Sequence, residues 1–290
     1  MPAMITRRAI SRTNLLRPDR ELNNLYLYCL AVFSERFDIA VHAFTLMSNH
    51  HHLVATDTQG RLPDFLREFH RTFALAAKVL RKWEGSLWDS DKPSVVELRT
   101  EQAVVETLAY CMANPVAAGA VRRARQWPGL VVLPERLGRM TLTAKRPDFF
   151  FDADNPQWPD VATLRLTMPP SSISDAQMRE LVSLELARLE TEVHLAMNTK
   201  GWRFLGPARV LAASPYDRAT SPEPLRGRNP TFAVGRGQRE AFFEAVTVLR
   251  EFRNAYRQAL HAWRNGIRQA LFPAGTWLMR CLHSAAVAAS

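Results

Sequence analysis

The sequence predicts an α+β chain, with an antiparallel sheet carrying helices on one face over its first half and a mainly helical C-terminal part. Three observations lead there. Short runs rich in β-branched and aromatic residues alternate with stretches of helical apolar spacing, in the order β-α-β-β-α-β-α. After Trp127-Pro128-Gly129 the texture changes to pieces interrupted by proline, such as Asn155-Pro156-Gln157-Trp158-Pro159. Beyond Ser174, two long segments regain helical spacing. The simplest architecture for the first order of elements is a ferredoxin-like antiparallel sheet with helices on one face. The chain then divides near residue 150, into domains 1–150 and 151–290.

Residues 4–10 read as the first strand, with Arg7 and Arg8 near its end. From Glu21, the apolar positions Leu22, Leu25, Cys29, Val32 and Phe33 recur at helical spacing after Pro18-Asp19. Residues 39–47 and 50–55 are two strands separated by Ser48-Asn49, which suggests a hairpin. Leu62, Phe65, Leu66, Phe69, Phe73, Ala76 and Leu80 form the apolar stripe of a second helix whose other faces are basic. Residues 94–98 make a fourth strand. Thr100 is a good N-cap for a helix from Glu101 to about Asn114, where Pro115 predicts its end. Ser174-Asp175 starts a helix to about Met197, residues 207–230 read as a loop, and a last helix runs over about 238–271.

Composition narrows the classes of function. At 47% hydrophobic, the 290 residues can bury a substantial core, and a formal charge of +10 favours polyanionic partners. No apolar run approaches the length of a membrane span, and residues 1–20 carry arginines without a secretory apolar block. The expectation is a cytoplasmic, nucleoid-associated protein with no membrane partner. Cys29, Cys111 and Cys281 are widely spaced and form no CxxC pair, against a disulfide framework or a cysteine zinc site.

Two stretches carry chemistry: Ser48-Asn49-His50-His51-His52-Leu53-Val54, and Tyr110-Cys111-Met112-Ala113-Asn114-Pro115-Val116. On a strand, side chains at i and i+2 share a face, so His50 and His52 project together and His51 points the other way. Two convergent imidazoles can hold a divalent cation, but taken alone three histidines before an apolar strand read more readily as a hydrogen-bonded turn. Tyr110 and Asn114 are four apart on a helix and share one side of it, away from Val105, Leu108 and Met112. The Asn114 carbonyl oxygen could complete a metal site begun by the histidines, while Tyr110 on its own reads as a half-buried packing residue.

Taken together, Met47-Ser48-Asn49-His50-His51-His52-Leu53, Tyr110-x-x-x-Asn114-Pro115-Val116-x-x-Gly119 and Trp127-Pro128-Gly129 resemble the HUH-type single-tyrosine transposases of bacterial insertion sequences, in the branch of REP-associated tyrosine transposases. The resemblance covers roughly residues 4–130 and extends loosely to Arg146-Pro147-Asp148-Phe149-Phe150 and Phe272-Pro273-x-Gly275-Thr276. It implies a ferredoxin-like HUH nuclease domain, a divalent metal (Mg or Mn), and cleavage and rejoining of single-stranded or hairpin DNA through a 5′-phosphotyrosine. Carried across, His50, His52 and Asn114 are the metal ligands and Tyr110 the nucleophile. One position departs: the residue between the paired histidines is usually large and apolar, and here it is His51, which would face the core and could compete for metal. Relatives also exchange tyrosine helices in a dimer, so the expected state is monomer or homodimer.

These residue types suit the chemistry. A phosphodiester resists attack because its oxygens are anionic, which a Lewis acid counters. Tyrosine, with a reference pKa of about 10, needs cationic surroundings to act as a nucleophile near neutrality. Candidate phosphate contacts are Arg7, Arg8, Arg12, Arg122 and Arg123 near the catalytic part, with Arg125 beside them. In the last helix Arg250, Arg253, Arg257, Arg264 and Arg268 form an arginine ladder, and residues 252–271 contain no acid to pair with the last four of them. Trp83, Trp88 and Trp127 are candidates for stacking on bases, at least two of them expected in the core. The rival readings are a catalytically silent structured nucleic-acid binder of the same fold and a phosphodiester hydrolase that uses water in place of Tyr110.

Overall fold

A computed structural model describes residues 1–220 and 230–288, so part of the stretch expected as a loop over 207–230 lies outside the described residues. The chain forms two compact units, Met1–Gly235 and Arg236–Ser290. The contacts therefore thin out well after the expected division near residue 150, because the segment beyond it packs back onto the first elements.

The first unit contains β1 (Pro2–Arg8), α1 (Arg20–Phe37), β2 (Ile39–Leu46), β3 (His50–Asp57), α2 (Leu62–Arg81), β4 (Ser94–Leu98) and α3 (Glu101–Ala117). It continues with β5 (Thr141–Lys145), β6 (Val161–Arg165), α4 (Asp175–Thr199), α5 (Pro207–Ala212) and β7 (Phe232–Ala233). The fold is α+β. Its main sheet has the order β2-β3-β1-β4-β7; neighbours among the first four strands are antiparallel, and β7 runs parallel to β4. β5 and β6 form a separate antiparallel pair that packs on α1. This pair and α5, which occupies the start of the expected loop, are only five or six residues long, too short to show a clear period in the sequence.

Helix starts follow from local side chains. The Asp19 carboxylate accepts the Leu22 N–H at 3.0 Å and the Arg81 guanidinium at 2.6 Å, joining the start of α1 to the end of α2. The Thr100 hydroxyl accepts the Ala103 N–H at 3.1 Å, and Ser174 and Gln177 form a reciprocal capping box at the start of α4.

Helices on one face proves to be half of the arrangement. On one side, α1 and α2 bury Tyr26, Phe69 and Phe73 against β3. On the other side lies α3, which meets β2, β3 and β4 and in turn carries α4. The alternation along β3 makes this visible: the His51 ring meets Tyr26 and His70, while the His52 ring meets Tyr110.

The helix α3 continues past Asn114 to Ala117, with Pro115 inside it. Proline has no N–H for the carbonyl four residues back, here Cys111. That oxygen instead accepts the Thr45 hydroxyl at 2.7 Å, so the missing helix bond becomes a tie from α3 to β2. Thr45→Val should leave the Cys111 carbonyl buried without a partner and lower stability by about 1–3 kcal/mol, measurable as a fall in urea midpoint at unchanged slope.

In the second unit α6 (Arg239–Arg264) is followed by α7 (Trp277–His283), and Tyr256, Leu260 and Trp263 pack on the buried Phe272 and Met279. The expected last helix ends early, at Arg264, because Gly266 turns the backbone to φ 94°. None of the helices among the described residues is long and apolar enough to cross a membrane.

Candidate functional site

The hairpin turn that precedes His50 is held from outside. Its Ser48 and Asn49 carbonyls accept the N–H groups of Leu16 (2.9 Å) and Ala9 (2.7 Å), so the connection from β1 to α1 grips the turn. The Asn49 side chain donates to the Arg12 carbonyl at 3.2 Å, which directs its own oxygen to His50, whose Nδ1–H donates to it at 2.7 Å. That bond leaves the His50 Nε2 lone pair facing the Asn114 Oδ1 at 3.3 Å. Two acceptors at that distance are not a hydrogen bond but a place for a cation between them.

His52 repeats the arrangement from the next residue of the same face. Its Nδ1 pairs with the Thr6 hydroxyl at 2.8 Å, and its Nε2 is buried with no hydrogen-bond partner. The two rings lie 4.9 Å apart edge to face. Asn114 donates its amide to the Tyr110 carbonyl at 3.1 Å, which fixes its oxygen on the histidine side. Burial pushes His50 down to about 4, partly opposed by Asn114, and holds His52 well below the usual imidazole range. Both rings are therefore neutral near pH 7, the form that binds a metal. Two neutral imidazole nitrogens, one of them buried without a partner, and an amide oxygen fit a divalent cation. Among the described residues no group of three His, Cys, Asp or Glu could do so, and the third donor here is an asparagine.

Tyr110 stands over this cluster. Its ring meets His52 at 5.4 Å and is 45% exposed, so the phenol is open to a large substrate while its helix is pinned by Thr45. The structure thus brings Tyr110, His50, His52 and Asn114 together.

His51 does not share the site. It is fully buried on the opposite face, with Nδ1 bonded to the Tyr26 hydroxyl at 3.0 Å and Nε2 to His70 Nε2 at 3.0 Å. Both nitrogens are occupied, so it fills the place of an apolar residue by joining a buried polar network and cannot reach the metal donors.

The basic residues separate into groups. Arg8 pairs in register with His50, and Arg8, Arg12 and Arg218 line a pocket of about 510 Å³ beside His50. Arg7 lies on the other face, its guanidinium 5.1 Å above the Trp88 ring, and burial lowers it to about 10. Arg122 stands near Phe204, at 5.6 Å from its ring, whereas Arg123 lines a groove with Glu135 and Glu190. In α6, Arg250, Arg253, Arg257 and Arg264 are on one helix; Arg268 falls after its end and stacks on Trp263 at 4.1 Å. Trp88 and Trp127 are core residues, donating to the His70 and Leu46 carbonyls, and Trp83 stacks on Tyr216. Arg218 was not visible as a site residue in the sequence, because it comes from a segment far downstream. Its strand-like bridge to Thr13 delivers it to the pocket.

No protein-family model and no curated protein matches the chain. Among solved structures, it is similar to a REP-associated tyrosine transposase bound to a REP hairpin, with a TM-score of 0.38 and 16% identity over 44% of this chain and 74% of that one. It is also similar to a protein from Deinococcus radiodurans R1 provisionally described as a transposase, with a TM-score of 0.30 and 17% identity over 38% of this chain and 87% of that one. Likenesses at this level carry no weight below, where the side chains of this chain do.

Proposed function

We propose that the protein is an HUH-type tyrosine transposase-like enzyme that cleaves and rejoins single-stranded hairpin DNA through Tyr110, on a ferredoxin-like catalytic part within residues 1–150. The observation that carries the reading is the gathering of His50 Nε2, the buried and unpartnered His52 Nε2 and Asn114 Oδ1 beneath an exposed tyrosine. These residues would hold Mn or Mg, the two nitrogens favouring the softer Mn. A cation there supplies Lewis-acid polarisation of the scissile phosphate.

The chain's own residues do the rest. Arg8 and Arg12 beside His50 offer positive charge to the phosphates on either side of the scissile one. Tyr110 Oη forms a bond to phosphorus as the P–O3′ bond breaks; the phenolic proton passes to solvent and O3′ takes one up. The products are a 5′-phosphotyrosine and a free 3′-hydroxyl, and the conserved bond count lets a 3′-hydroxyl reverse the step without a nucleotide cofactor. Residues 151–290 and their arginines serve to hold the DNA, in the cytoplasm at the nucleoid, with the protein acting as monomer or homodimer.

Incubation with a labelled hairpin oligonucleotide and Mn²⁺ should give a protein–DNA band that survives denaturation and is absent with chelator. Tyr110→Phe should remove it while leaving hairpin binding within about threefold, since one exposed hydroxyl contributes little to binding. A band of equal strength in Tyr110→Phe sinks the assignment.

A further inference from the structure

A second basic and aromatic surface lies on the segment that follows α4. Trp202 is 62% exposed, and the Lys200 ammonium stands 4.7 Å from its ring. Together with Arg122, Gln126, Asn198, Arg203 and Phe204, it lines an open groove of about 600 Å³, and among the described residues that line it there is no carboxylate. The groove has a fixed floor: the His194 ring donates to the Arg122 carbonyl at 2.6 Å and meets Phe204 edge to face at 5.3 Å. It is also fixed to the catalytic helix. Leu205 and Gly206 donate their N–H groups to the carbonyls of Gly119 and Ala120 at 2.9 and 2.8 Å, just past the end of α3.

The same run of chain walls two openings. Phe204, Gly206 and Pro207 face this groove, while Leu205 and Val210 line the pocket beside His50. A large exposed indole beside cations, in a lining without carboxylates, is the composition that binds unpaired nucleic acid: every base has a face to stack, and phosphates follow the charge. Core packing does not account for Trp202, since the core of this region is filled by Val116, Trp127 and Val210.

We propose that this groove binds unpaired nucleotides of the DNA strand whose phosphate reaches Tyr110, with a base stacked on Trp202 and phosphates contacted by Arg122, Lys200 and Arg203. The inference rests on the single-stranded DNA substrate proposed above and adds a stacking platform that places the strand on one side of the site.

The test uses the full chain and a fluorescein-labelled oligodeoxythymidine of about twenty nucleotides, long enough to cover more than one contact site. Fluorescence anisotropy should show Trp202→Ala binding about tenfold or more weaker than the parent, with Trp202→Phe recovering most of the loss because it keeps a stacking face. Arg122→Ala should flatten the dependence of log affinity on log salt by about 0.7, the amount expected for one phosphate contact on a single strand. With bromodeoxyuridine in the strand, photocrosslinks should fall on the peptide containing Trp202. Affinity of Trp202→Ala within twofold of the parent (about 2-fold being the scatter of a surface change without a contact), or crosslinks confined to other peptides, overturns the proposal. The same samples run on a denaturing gel with a hairpin substrate separate the two claims. Trp202-dependent binding without a parent adduct overturns the Tyr110 reading alone, and an adduct with Trp202-independent binding overturns the groove alone.

Discussion

His52→Ala should lower the rate of adduct formation on a hairpin by about a hundredfold to a thousandfold, while hairpin affinity changes only a few-fold. The imidazole is one of three donors; losing it removes the nitrogen whose Nε2 is buried with no protein partner. It also leaves the Thr6 hydroxyl without its ring nitrogen, so a modest loss of stability accompanies the change. Asn114→Ala should act in the same direction and more strongly, because the Asn114 oxygen faces His50 and its amide is tied to the Tyr110 carbonyl. A merely structural histidine would instead lower melting temperature and leave the rate at saturating Mn²⁺ intact. Single-turnover rates over a range of Mn²⁺ separate the two cases.

Stability should fall steeply between pH 7 and pH 4, with His42 a principal cause. His42 sits at the bulge where β2 shifts register against β3, and it is almost wholly buried. Its Nδ1–H donates to the Thr167 carbonyl at 3.0 Å and its Nε2 accepts the Thr56 hydroxyl at 2.8 Å, a pattern only the neutral ring can make. Burial lowers it from 6.5 to about 4, partly opposed by the Thr167 carbonyl. Below pH 6.5 the unfolded chain therefore takes up a proton that the folded one refuses. The contribution is intact above that pH and is lost as pH falls towards 4, the loss reaching about 2 kcal/mol at pH 5. His51, pushed down to about 3 by burial, works in the same direction. Urea midpoints at pH 7 and pH 5 measure the loss, and His42→Gln should flatten the slope by about 1.4 kcal/mol per pH unit within that window. An unchanged slope in this variant would contradict the burial assigned to His42.

Much of the first half of the fold was legible because its periods are strong. The stripe from Leu62 to Leu80 and the alternation from His50 to Val54 each match one structure, and the order of elements then limits the sheet. The site was legible for the same reason, since His50/His52 and Tyr110/Asn114 are each placed by a single local period. Where reading failed, the deciding interaction was distant in sequence. Pro115 signals a helix end locally, but the Thr45 hydroxyl replaces the lost bond and the helix continues. Arg7 and Arg8 are adjacent in the chain, yet the strand pairs them with different neighbours, Arg7 lying over Trp88 and Arg8 beside His50. The position of α3 on the far side of the sheet, and the docking of residues 141–217 onto the first elements, depend on packing that no window of sequence contains.

The most direct measurement is mass spectrometry of the digested protein after incubation with a hairpin and Mn²⁺. The peptide that contains Tyr110 should carry the mass of the cleaved 3′ fragment through its 5′-phosphate, and the modification should vanish with chelator. Cleaved DNA with no modified peptide, or with the modification on a different residue, would contradict the role of Tyr110 above the His50, His52 and Asn114 cluster.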